Sequence, residues 1–306
     1  MLWNKTKDNV ETVGVIGCGR MGSCMLNAIT TKGYKVFAYD IFDSALTRAV
    51  EKGAERTDSP RCLAEKSDLI ILSLPGPVEL EEVLFGKNGV SEGLSKGKVV
   101  IDTSTVDPDT TRKNADRIEN VSDVAYLDCP ILGRPSATGR WMLPTGGDEE
   151  ALKWVEPVLK TFASSAIPVG GHGAGNALKL LNQMMFTCIN AISCETMAIA
   201  EKVGLDPKVY SSTVGASSAA TNNGLFREVT SNIADEDYDH PAFTVDLLIK
   251  DTKLALQMAK DADAPSLIAG TVQMYNEMAH ATGLGGEDTS ALYKVFRNNY
   301  VKEINL

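Results

Sequence analysis

The sequence has few of the residues that build metal centres and disulfide frameworks. Its three histidines, His172, His240 and His280, lie far apart and lack the HExxH spacing of many zinc enzymes. Its six cysteines show no CxxC spacing and stand in apolar or glycine-rich contexts, as reduced buried thiols do. We therefore expect neither a metal site nor disulfide bonds.

Positive charge and long apolar runs are also scarce. The formal net charge of −10 makes a nucleic-acid partner unexpected, because phosphate binding needs a basic surface. No segment offers about eighteen consecutive apolar residues, and the polar opening MLWNKTKDNVET lacks the apolar core of a signal peptide. These features predict a cytoplasmic protein that binds small molecules and does not enter membranes.

The first half of the sequence alternates strand-like and helix-like segments. β-Branched or apolar runs are separated by helix-compatible segments, and the first two of these segments end on a glycine suited to a helix C-terminus. This alternation predicts an α/β fold with a doubly wound parallel sheet of the Rossmann type. The predicted strands cover residues 12–17, 35–40, 68–75, 98–104 and 124–130, with a sixth at 164–171.

The second half of the sequence is helical. After Gly175 a continuous helical pattern of about 29 residues runs to Gly204, and about 1.5 Å per residue makes such a helix long enough to pass between domains. Residues 217–224 and 231–242 read as loops. We predict an NAD-binding Rossmann domain over residues 1–170 and an all-α substrate and oligomerisation domain over residues 171–306.

A glycine-rich motif follows the first predicted strand. In GVIGCGRMG the G-x-G-x-x-G glycines allow a tight turn, close approach of a pyrophosphate to the backbone, and close helix packing. The second strand then ends in Asp40, which can accept hydrogen bonds from a ribose and would repel a 2′-phosphate. We expect NAD rather than NADP; the alternative is a turn that binds no ligand. The three glycines are Gly17, Gly19 and Gly22.

Polar residues share one face near the start of the long helix. Asn176, Lys179 and Gln183 stand at i, i+3 and i+7, with Asn182 beside them. Lys179 is the candidate proton carrier, and the alternative is a solvated first turn. His172 is the rival acid or base, although its GGHGAG context indicates a loop at the rim of a cleft.

Over nearly its whole length the sequence resembles the β-hydroxyacid dehydrogenase family, which includes 3-hydroxyisobutyrate dehydrogenases, tartronate semialdehyde reductases and sulfolactaldehyde reductases. Several motifs in the family's order carry the resemblance. They are GVIGCGRMG (14–22), DLIILSLPGPVELEEVLFGKNGV (68–90), VIDTST (100–105), DCPILG (128–133) with TGG (145–147), GHGAGNALKLLNQ (171–183) and FTVDLLIKDTKLAL (243–256).

The resemblance implies hydride transfer between nicotinamide and a small 3-hydroxy acid or its semialdehyde. Lys179 would be the catalytic acid/base, Asn182 would help position the substrate, and the family implies a homodimer or homotetramer. With Asp40 from the strand-end argument, the expected cofactor residues are Gly17, Gly19, Arg20, Met21, Asp40, Leu74, Pro75, Thr105 and Lys250. The expected substrate residues are Leu132, Gly133, Arg134 and Gln183.

Two positions depart from the family pattern. Arg134 stands where a small loop residue is usual, and its guanidinium would suit an anionic substrate group, as in sulfolactaldehyde reductases, which share this Gly-Arg pair. Gln183 replaces one residue of the usual asparagine pair. Arg140 and Trp141 are expected to pack within the loop. The alternative functions are a reductase of a sulfonated or other anionic aldehyde, and a non-catalytic cofactor-binding module, against which Lys179 argues.

Overall fold

The computed structural model describes residues 3–299, except the side chains of residues 121 and 122. The chain divides into two compact units, Met1–Lys179 and Leu180–Leu306. We call them the N-terminal and the C-terminal unit.

The N-terminal unit is built on one eight-stranded sheet. Its strands are β1 (Thr12–Ile16), β2 (Lys35–Tyr39), β3 (Glu55–Arg56), β4 (Leu69–Leu72), β5 (Val99–Asp102), β6 (Ala125–Asp128), β7 (Trp141–Gly146) and β8 (Ala163–Gly170). Their spatial order is β3-β2-β1-β4-β5-β6-β7-β8, and every neighbouring pair is parallel except the antiparallel β6 and β7. The Rossmann prediction is confirmed, and the single reversal makes the sheet mostly parallel.

Helices cover both faces of this sheet. They are α1 (Arg20–Thr31), α2 (Asp43–Glu51), α3 (Pro60–Lys66), α4 (Pro77–Phe85), α5 (Pro108–Ser122) and α6 (Glu149–Leu159). Within β4, Leu69 and Ile71 belong to one buried cluster, whereas Ile70 and Leu72 belong to the other. Because successive strand residues point to opposite faces, a wholly apolar run is what a strand covered on both sides requires.

Six predicted strands are confirmed, and two strands escaped prediction. β3 is only two residues long. β7 begins at Trp141, which the sequence assigned to loop packing, so that assignment was wrong. Trp141 begins β7, is fully buried, and contacts Phe162 edge-on at 6.1 Å between ring centroids.

Two other tryptophans anchor the start of the chain to this unit. The rings of Trp3 and Trp154 lie 5.4 Å apart between centroids. The indole of Trp154 donates to the carbonyl oxygen of Lys7 at 3.1 Å, and that of Trp3 donates to the carbonyl oxygen of Lys98 at 3.2 Å. These contacts fix the segment before β1 against α6 and the sheet.

The C-terminal unit is helical. The long helix α7 (Ala174–Lys202) spans 29 residues, as predicted, and contains the boundary of the two units. The following helices are α8 (Pro207–Ala216), α9 (Gly224–Asp235), α10 (Val245–Asp261), α11 (Leu267–Ala281) and α12 (Leu292–Asn299). The predicted loop at 231–242 was wrong at its start, because α9 extends to Asp235.

The core of this unit is a cluster of apolar side chains from several helices, including Met197, Val229 and Phe296. Between Leu180 and residue 299 no strand occurs, and only an isolated bridge joins Thr244 and Asp288. Among the residues described, no helix combines the length and apolar character that crossing a membrane requires.

Candidate active site

The glycine motif forms a tight turn between β1 and α1. Gly17 has a φ of +87°, a conformation that favours glycine. A Cβ added at Gly22 would lie 1.8 Å from the carbonyl oxygen of Gly17, so this glycine allows α1 to pack on the turn. A Cβ added at Gly19 would meet no atom within 4 Å. The protein's own packing therefore does not require glycine at position 19, whereas a ligand approaching the backbone does.

The start of α1 lies at this turn without a side-chain cap. Gly19 is the N-cap of α1 and supplies no side-chain cap, and the next two residues, Arg20 and Met21, form the first turn. Arg20 is exposed and Met21 is half-buried. A helix N-terminus of this kind attracts an anionic group such as a pyrophosphate. The glycine motif and the helix thus fit the phosphates of a dinucleotide.

Asp40 is bonded to the glycine turn. Its Oδ2 accepts a hydrogen bond from the backbone N–H of Cys18 at 2.6 Å, and its Oδ1 accepts one from the N–H of Phe42 at 2.9 Å. Burial and the charge of Asp40 raise the pKa of the Cys18 thiol to about 12, so this cysteine stays protonated. Ile41 and Phe42 beyond it are exposed, at 75% and 64%. The end of β2 thus presents one carboxylate flanked by apolar side chains.

The loops after β4 and β5 lie at the same edge of the sheet, because these neighbouring strands are parallel. One hydrogen bond joins the two loops. The backbone N–H of Leu74 donates to the hydroxyl of the buried Ser104 at 3.0 Å. Leu74 is half-buried, Pro75 is exposed and Thr105 is half-buried. The structure thus brings all the predicted cofactor residues except Lys250 to this edge of the N-terminal unit.

The end of β6 holds the start of α7 through Asp128. Its buried carboxylate accepts hydrogen bonds from the N–H groups of Gly173 at 2.9 Å and Asn176 at 3.0 Å. A Cβ at Gly175 would lie 2.6 Å from the carbonyl oxygen of Asp128, so glycine permits this close approach. Burial raises the pKa of the Asp128 carboxyl. Asp128 caps the helix from a distant point in the sequence.

Asn176 belongs to the same anchor. Its side chain is fully buried, accepts from the backbone N–H of Val106 at 3.3 Å and donates to the hydroxyl of Thr111 at 3.1 Å. It therefore joins the first turn of α7 to the segment after β5 and to α5. Asn176 is a buried structural amide, although the sequence grouped it with an accessible polar face.

Lys179 lies one turn further along α7 and is half-buried. Its Nζ donates a hydrogen bond to the carbonyl oxygen of Ile131 at 3.0 Å. Ile131 immediately precedes the three predicted substrate residues of this unit. The lysine ammonium is thus held beside the segment 132–134.

That segment is itself fixed by β7. Leu132 and Met142 exchange two backbone hydrogen bonds, of 2.9 and 3.2 Å. A Cβ at Gly133 would lie 2.2 Å from Cδ1 of Trp141, and the carbonyl oxygen of Arg134 accepts from the indole N–H of Trp141 at 2.7 Å. The missed strand is therefore the support of the predicted substrate segment, and the Arg134 side chain projects half-buried from it.

The remaining predicted residues lie in the C-terminal unit, where two hydrogen bonds and one ion pair connect them through Asp251. Nδ2 of Asn182 donates to Oε1 of Gln183 at 3.2 Å, and Nε2 of Gln183 donates to Oδ2 of Asp251 at 2.7 Å. The ammonium of Lys250 lies 2.8 Å from Oδ1 of Asp251. Asn182 is exposed, whereas Gln183 and Asp251 are both buried.

His172 is paired with the carboxylate of Glu119. Its Nε2 lies 3.1 Å from Oε1 of Glu119, and this partner raises the pKa of the imidazole despite its partial burial. Its Nδ1 is buried without a hydrogen-bond partner, and its ring contacts Tyr126 edge-on. This packing is that of a loop residue tied to α5.

Sequence reasoning missed two site residues, Asp128 and Asp251. Asp128 was recognised only as the start of a motif, yet an acid at the end of a buried strand is a signal for a buried partner. Asp251 follows Lys250 directly, and neighbours on a helix normally point apart, so sequence offered no reason to pair them.

Known protein families match both parts of the chain. The NAD-binding domain of 6-phosphogluconate dehydrogenase matches residues 12–171, and the NAD-binding domain of NADP-dependent 3-hydroxyisobutyrate dehydrogenase matches residues 173–296. Together these matches span nearly all of the residues that the structure describes.

Individual relatives agree with these matches. The 3-sulfolactaldehyde reductase of Escherichia coli is 32% identical over 295 residues, which are 94% of this chain and 96% of the relative. The 2-(hydroxymethyl)glutarate dehydrogenase of Eubacterium barkeri is 30% identical over 286 residues, 93% of this chain and 94% of the relative. The crystal structure of a 3-hydroxyisobutyrate dehydrogenase from Salmonella typhimurium superposes with a TM-score of 0.86 at 27% identity, covering 93% of this chain and 99% of that one. The chain therefore belongs to the β-hydroxyacid dehydrogenase family and is an NAD(P)-dependent oxidoreductase.

Proposed function

We propose that this protein interconverts a small 3-hydroxy acid and the corresponding aldehyde with NAD as the cofactor. The observation that carries the proposal is the position of Lys179, whose ammonium is held at the carbonyl oxygen of Ile131 beside the segment 132–134. The same unit carries the glycine turn and Asp40. A proton carrier and a dinucleotide-binding edge are the two parts that such a reaction needs.

The residues of the chain have distinct parts in this reaction. A bound nicotinamide supplies the hydride for reduction or accepts it in oxidation. Lys179 donates the proton to the carbonyl oxygen in reduction and removes it from the hydroxyl in oxidation. The carbonyl oxygen of Ile131 accepts from the lysine ammonium, which limits the directions in which Nζ can point and so orients the proton transfer.

The preference for NAD over NADP is inferred from the end of β2. The carboxylate of Asp40 is fixed there by two backbone amides and would accept from the ribose hydroxyls. A 2′-phosphate at the same place would meet a negative charge between the exposed apolar side chains of Ile41 and Phe42. Electrostatic repulsion between the Asp40 carboxylate and this phosphate disfavours NADP.

The substrate class is inferred to be anionic. Arg134 extends from a segment whose backbone is bonded to Trp141 and β7, so its guanidinium is presented from a rigid support. A guanidinium can bind a carboxylate or a sulfonate through two parallel hydrogen bonds. The second candidate is therefore reduction of a sulfonated aldehyde, which the name of the 32% identical reductase also supports.

Self-association is part of the proposal. Along α7 the side chains of Leu181, Met185, Ile192 and Ile199 are each more than two-fifths exposed, between 43% and 63%, and they recur at helical spacing along one stripe. An apolar stripe of this kind is typical of a surface that a second subunit covers. We infer a homodimer or homotetramer, which light scattering of the purified protein would distinguish from a monomer.

The central experiment measures NADH formation or consumption by the purified protein. The panel contains 3-hydroxyisobutyrate, its carboxylate-bearing relatives, sulfonated aldehydes and neutral aldehydes of similar size. Turnover with a 3-hydroxy acid or an anionic aldehyde supports the proposal. Binding of NADH without turnover of any member of the panel would favour a non-catalytic cofactor-binding module.

A further inference from the structure

We propose that Asp251 is a positioning residue for the reaction, and that Gln183 belongs to the same buried link rather than contacting the substrate. The link is the series of side-chain contacts from Asn182 to Gln183, from Gln183 to Asp251 and from Asp251 to Lys250, all within the C-terminal unit. This inference rests on the proposed function and on the family resemblance, which implies that Asn182 helps position the substrate and that Lys250 contacts the cofactor. It changes the expected part of Gln183 and adds a residue that the sequence did not single out.

Both ends of the Gln183 amide are bonded inside the protein. Its nitrogen donates to Asp251 at 2.7 Å and its oxygen accepts from Asn182 at 3.2 Å, and the residue is only 3% exposed. A buried amide bonded at both ends is held in one orientation. The bond to Asn182 uses Nδ2 of that residue and leaves its Oδ1 to accept from a donor such as a substrate hydroxyl.

Asp251 is tolerated as a buried acid because two partners surround it. Its side chain is bonded to the Gln183 amide and paired with the Lys250 ammonium at 2.8 Å. A buried carboxylate without such partners would be strongly destabilising. If either partner is removed, the other partner alone must stabilise the buried Asp251 carboxylate.

The pairing of Lys250 with Asp251 also restrains the lysine. Lys250 and Asp251 are consecutive residues of α10, and the 2.8 Å contact with the Asp251 carboxylate fixes the end of the long Lys250 side chain. A lysine restrained in this way loses less conformational freedom when it binds a ligand. Asp251 thus fixes the direction of Lys250 and, through Gln183, that of Asn182.

The sharpest test is Gln183→Glu, which keeps the shape of the side chain and places a second carboxylate against Asp251. The two acids would repel each other when both are ionised, and protonation of one of them at low pH would relieve this repulsion; Lys250 is the cation paired with Asp251. We expect the NADH dissociation constant to rise about tenfold at about pH 8 and to recover toward the parent value at about pH 5.5. The melting temperature of the ligand-free variant should follow the same pH dependence.

A second variant, Asp251→Asn, keeps a group that can bond Gln183 but removes the charge that holds Lys250. We expect NADH binding to weaken about tenfold at every pH between about 6 and 8, because no new carboxylate has been introduced. Asn276→Asp is the matched control, since Asn276 is buried in the same unit and its side chain is bonded to Thr187 at 2.8 Å rather than to a residue of the link. It should lower the melting temperature without changing the NADH dissociation constant.

The outcomes separate this inference from the proposed function. If Gln183→Glu raises only the KM of the hydroxy acid and leaves NADH binding unchanged, Gln183 is a substrate residue and the inference is wrong. Unchanged NADH binding in Asp251→Asn, or an equal loss in the Asn276→Asp control, overturns the positioning role of Asp251. Failure of the parent protein itself to turn over any substrate refutes the proposed function instead.

Discussion

The backbone N–H of Asn176 donates a hydrogen bond to Oδ2 of Asp128 at 3.0 Å, so a carboxylate from β6 caps the first turn of α7. Its other oxygen binds the N–H of Gly173. A negative charge at this end of a helix also complements the positive end of the helix dipole. Because Lys179 follows one turn later, the position of the proposed proton carrier depends on this cap.

Asp128→Asn should therefore disturb both folding and catalysis. The asparagine oxygen can accept from only one of the two amides comfortably, since its NH₂ group faces the other donor. We expect a loss of about 1 to 3 kcal/mol in the free energy of unfolding, measured in urea, and a fall in kcat. Asp148→Asn, at the half-buried cap of α6, is the matched control. A kcat for Asp128→Asn equal to that of this control would contradict the link to Lys179.

Lys179→Ala should lower kcat by about a hundredfold or more, because general acid and base catalysis contributes on that order. The variant should keep its melting temperature within a few degrees and still bind NADH. Lys179→Arg tests whether proton transfer by this side chain is required, since arginine keeps the positive charge but does not release a proton at neutral pH. Turnover within a few-fold of the parent would mean that His172 or water carries the proton.

The cofactor preference is tested by kcat/KM for NAD and for NADP under the same conditions. The fixed carboxylate of Asp40 should give NAD an advantage of about tenfold or more. Asp40→Asn removes the charge but retains an oxygen that can accept from the N–H of Cys18. The ratio of kcat/KM for NAD to kcat/KM for NADP should therefore fall. Equal use of both cofactors by the parent would refute the preference.

Arg134→Ala should raise the KM of the anionic substrate by about tenfold to a hundredfold, which corresponds to about 1.5 to 3 kcal/mol of charge-assisted bonding. Arg134→Lys should recover only part of the loss, since lysine lacks the planar fork of donors. Arg140→Ala is the control, because Arg140 is exposed in the same loop. If the three variants share the parent's KM for every accepted acid, Arg134 does not bind the substrate.

Asp102 gives a prediction for the dependence of stability on pH. Burial raises the pKa of its carboxyl to about 6 from an ordinary 3.8, although it accepts from Ser104 and Tyr126. The folded protein therefore binds this proton more tightly than the unfolded chain. The contribution of Asp102 to stability is most favourable below about pH 4, and it declines until the pH passes about 6.

Asp102→Asn removes this penalty while keeping an acceptor for Ser104 and a donor toward Tyr126. We expect the variant to exceed the parent by up to about 3 kcal/mol in the free energy of unfolding at about pH 8. The difference should vanish near pH 4, where both side chains are neutral. Asp116→Asn, at an exposed position of α5, should show no such gain. A difference in the free energy of unfolding between variant and parent that stays constant across this pH range would contradict the assignment of the pH dependence to Asp102.

The sequence predicted best those parts of the fold that local pattern determines. Apolar runs such as 68–75 and the continuous helical pattern after Gly175 led to β4 and α7, because burial on both faces and helical periodicity leave direct traces in sequence. β7 was missed because it contains Pro144 and two polar or glycine positions at its end. It belongs at an antiparallel junction, where pairing is decided by distant β6 and β8 rather than by its own residues.

The candidate site divides in the same way. The glycine turn and Asp40 were found because their spacing along the chain is itself the signal. Asp128 and Asp251 act through partners 45 and 68 residues away, at Gly173 and Gln183, and no local pattern encodes such distances. Asn176 shows the converse, since its helical spacing suggested an accessible face while its contacts to Val106 and Thr111 bury it.

The three tryptophans of the chain are Trp3, Trp141 and Trp154, and all of them belong to the N-terminal unit. Intrinsic indole emission excited selectively is therefore blind to the C-terminal helices and reports only on the environment of the sheet. Melting followed by this emission and melting followed by far-ultraviolet circular dichroism will coincide only if both units unfold together. The protein thus carries a natural spectroscopic label that distinguishes cooperative from stepwise unfolding without any engineered dye.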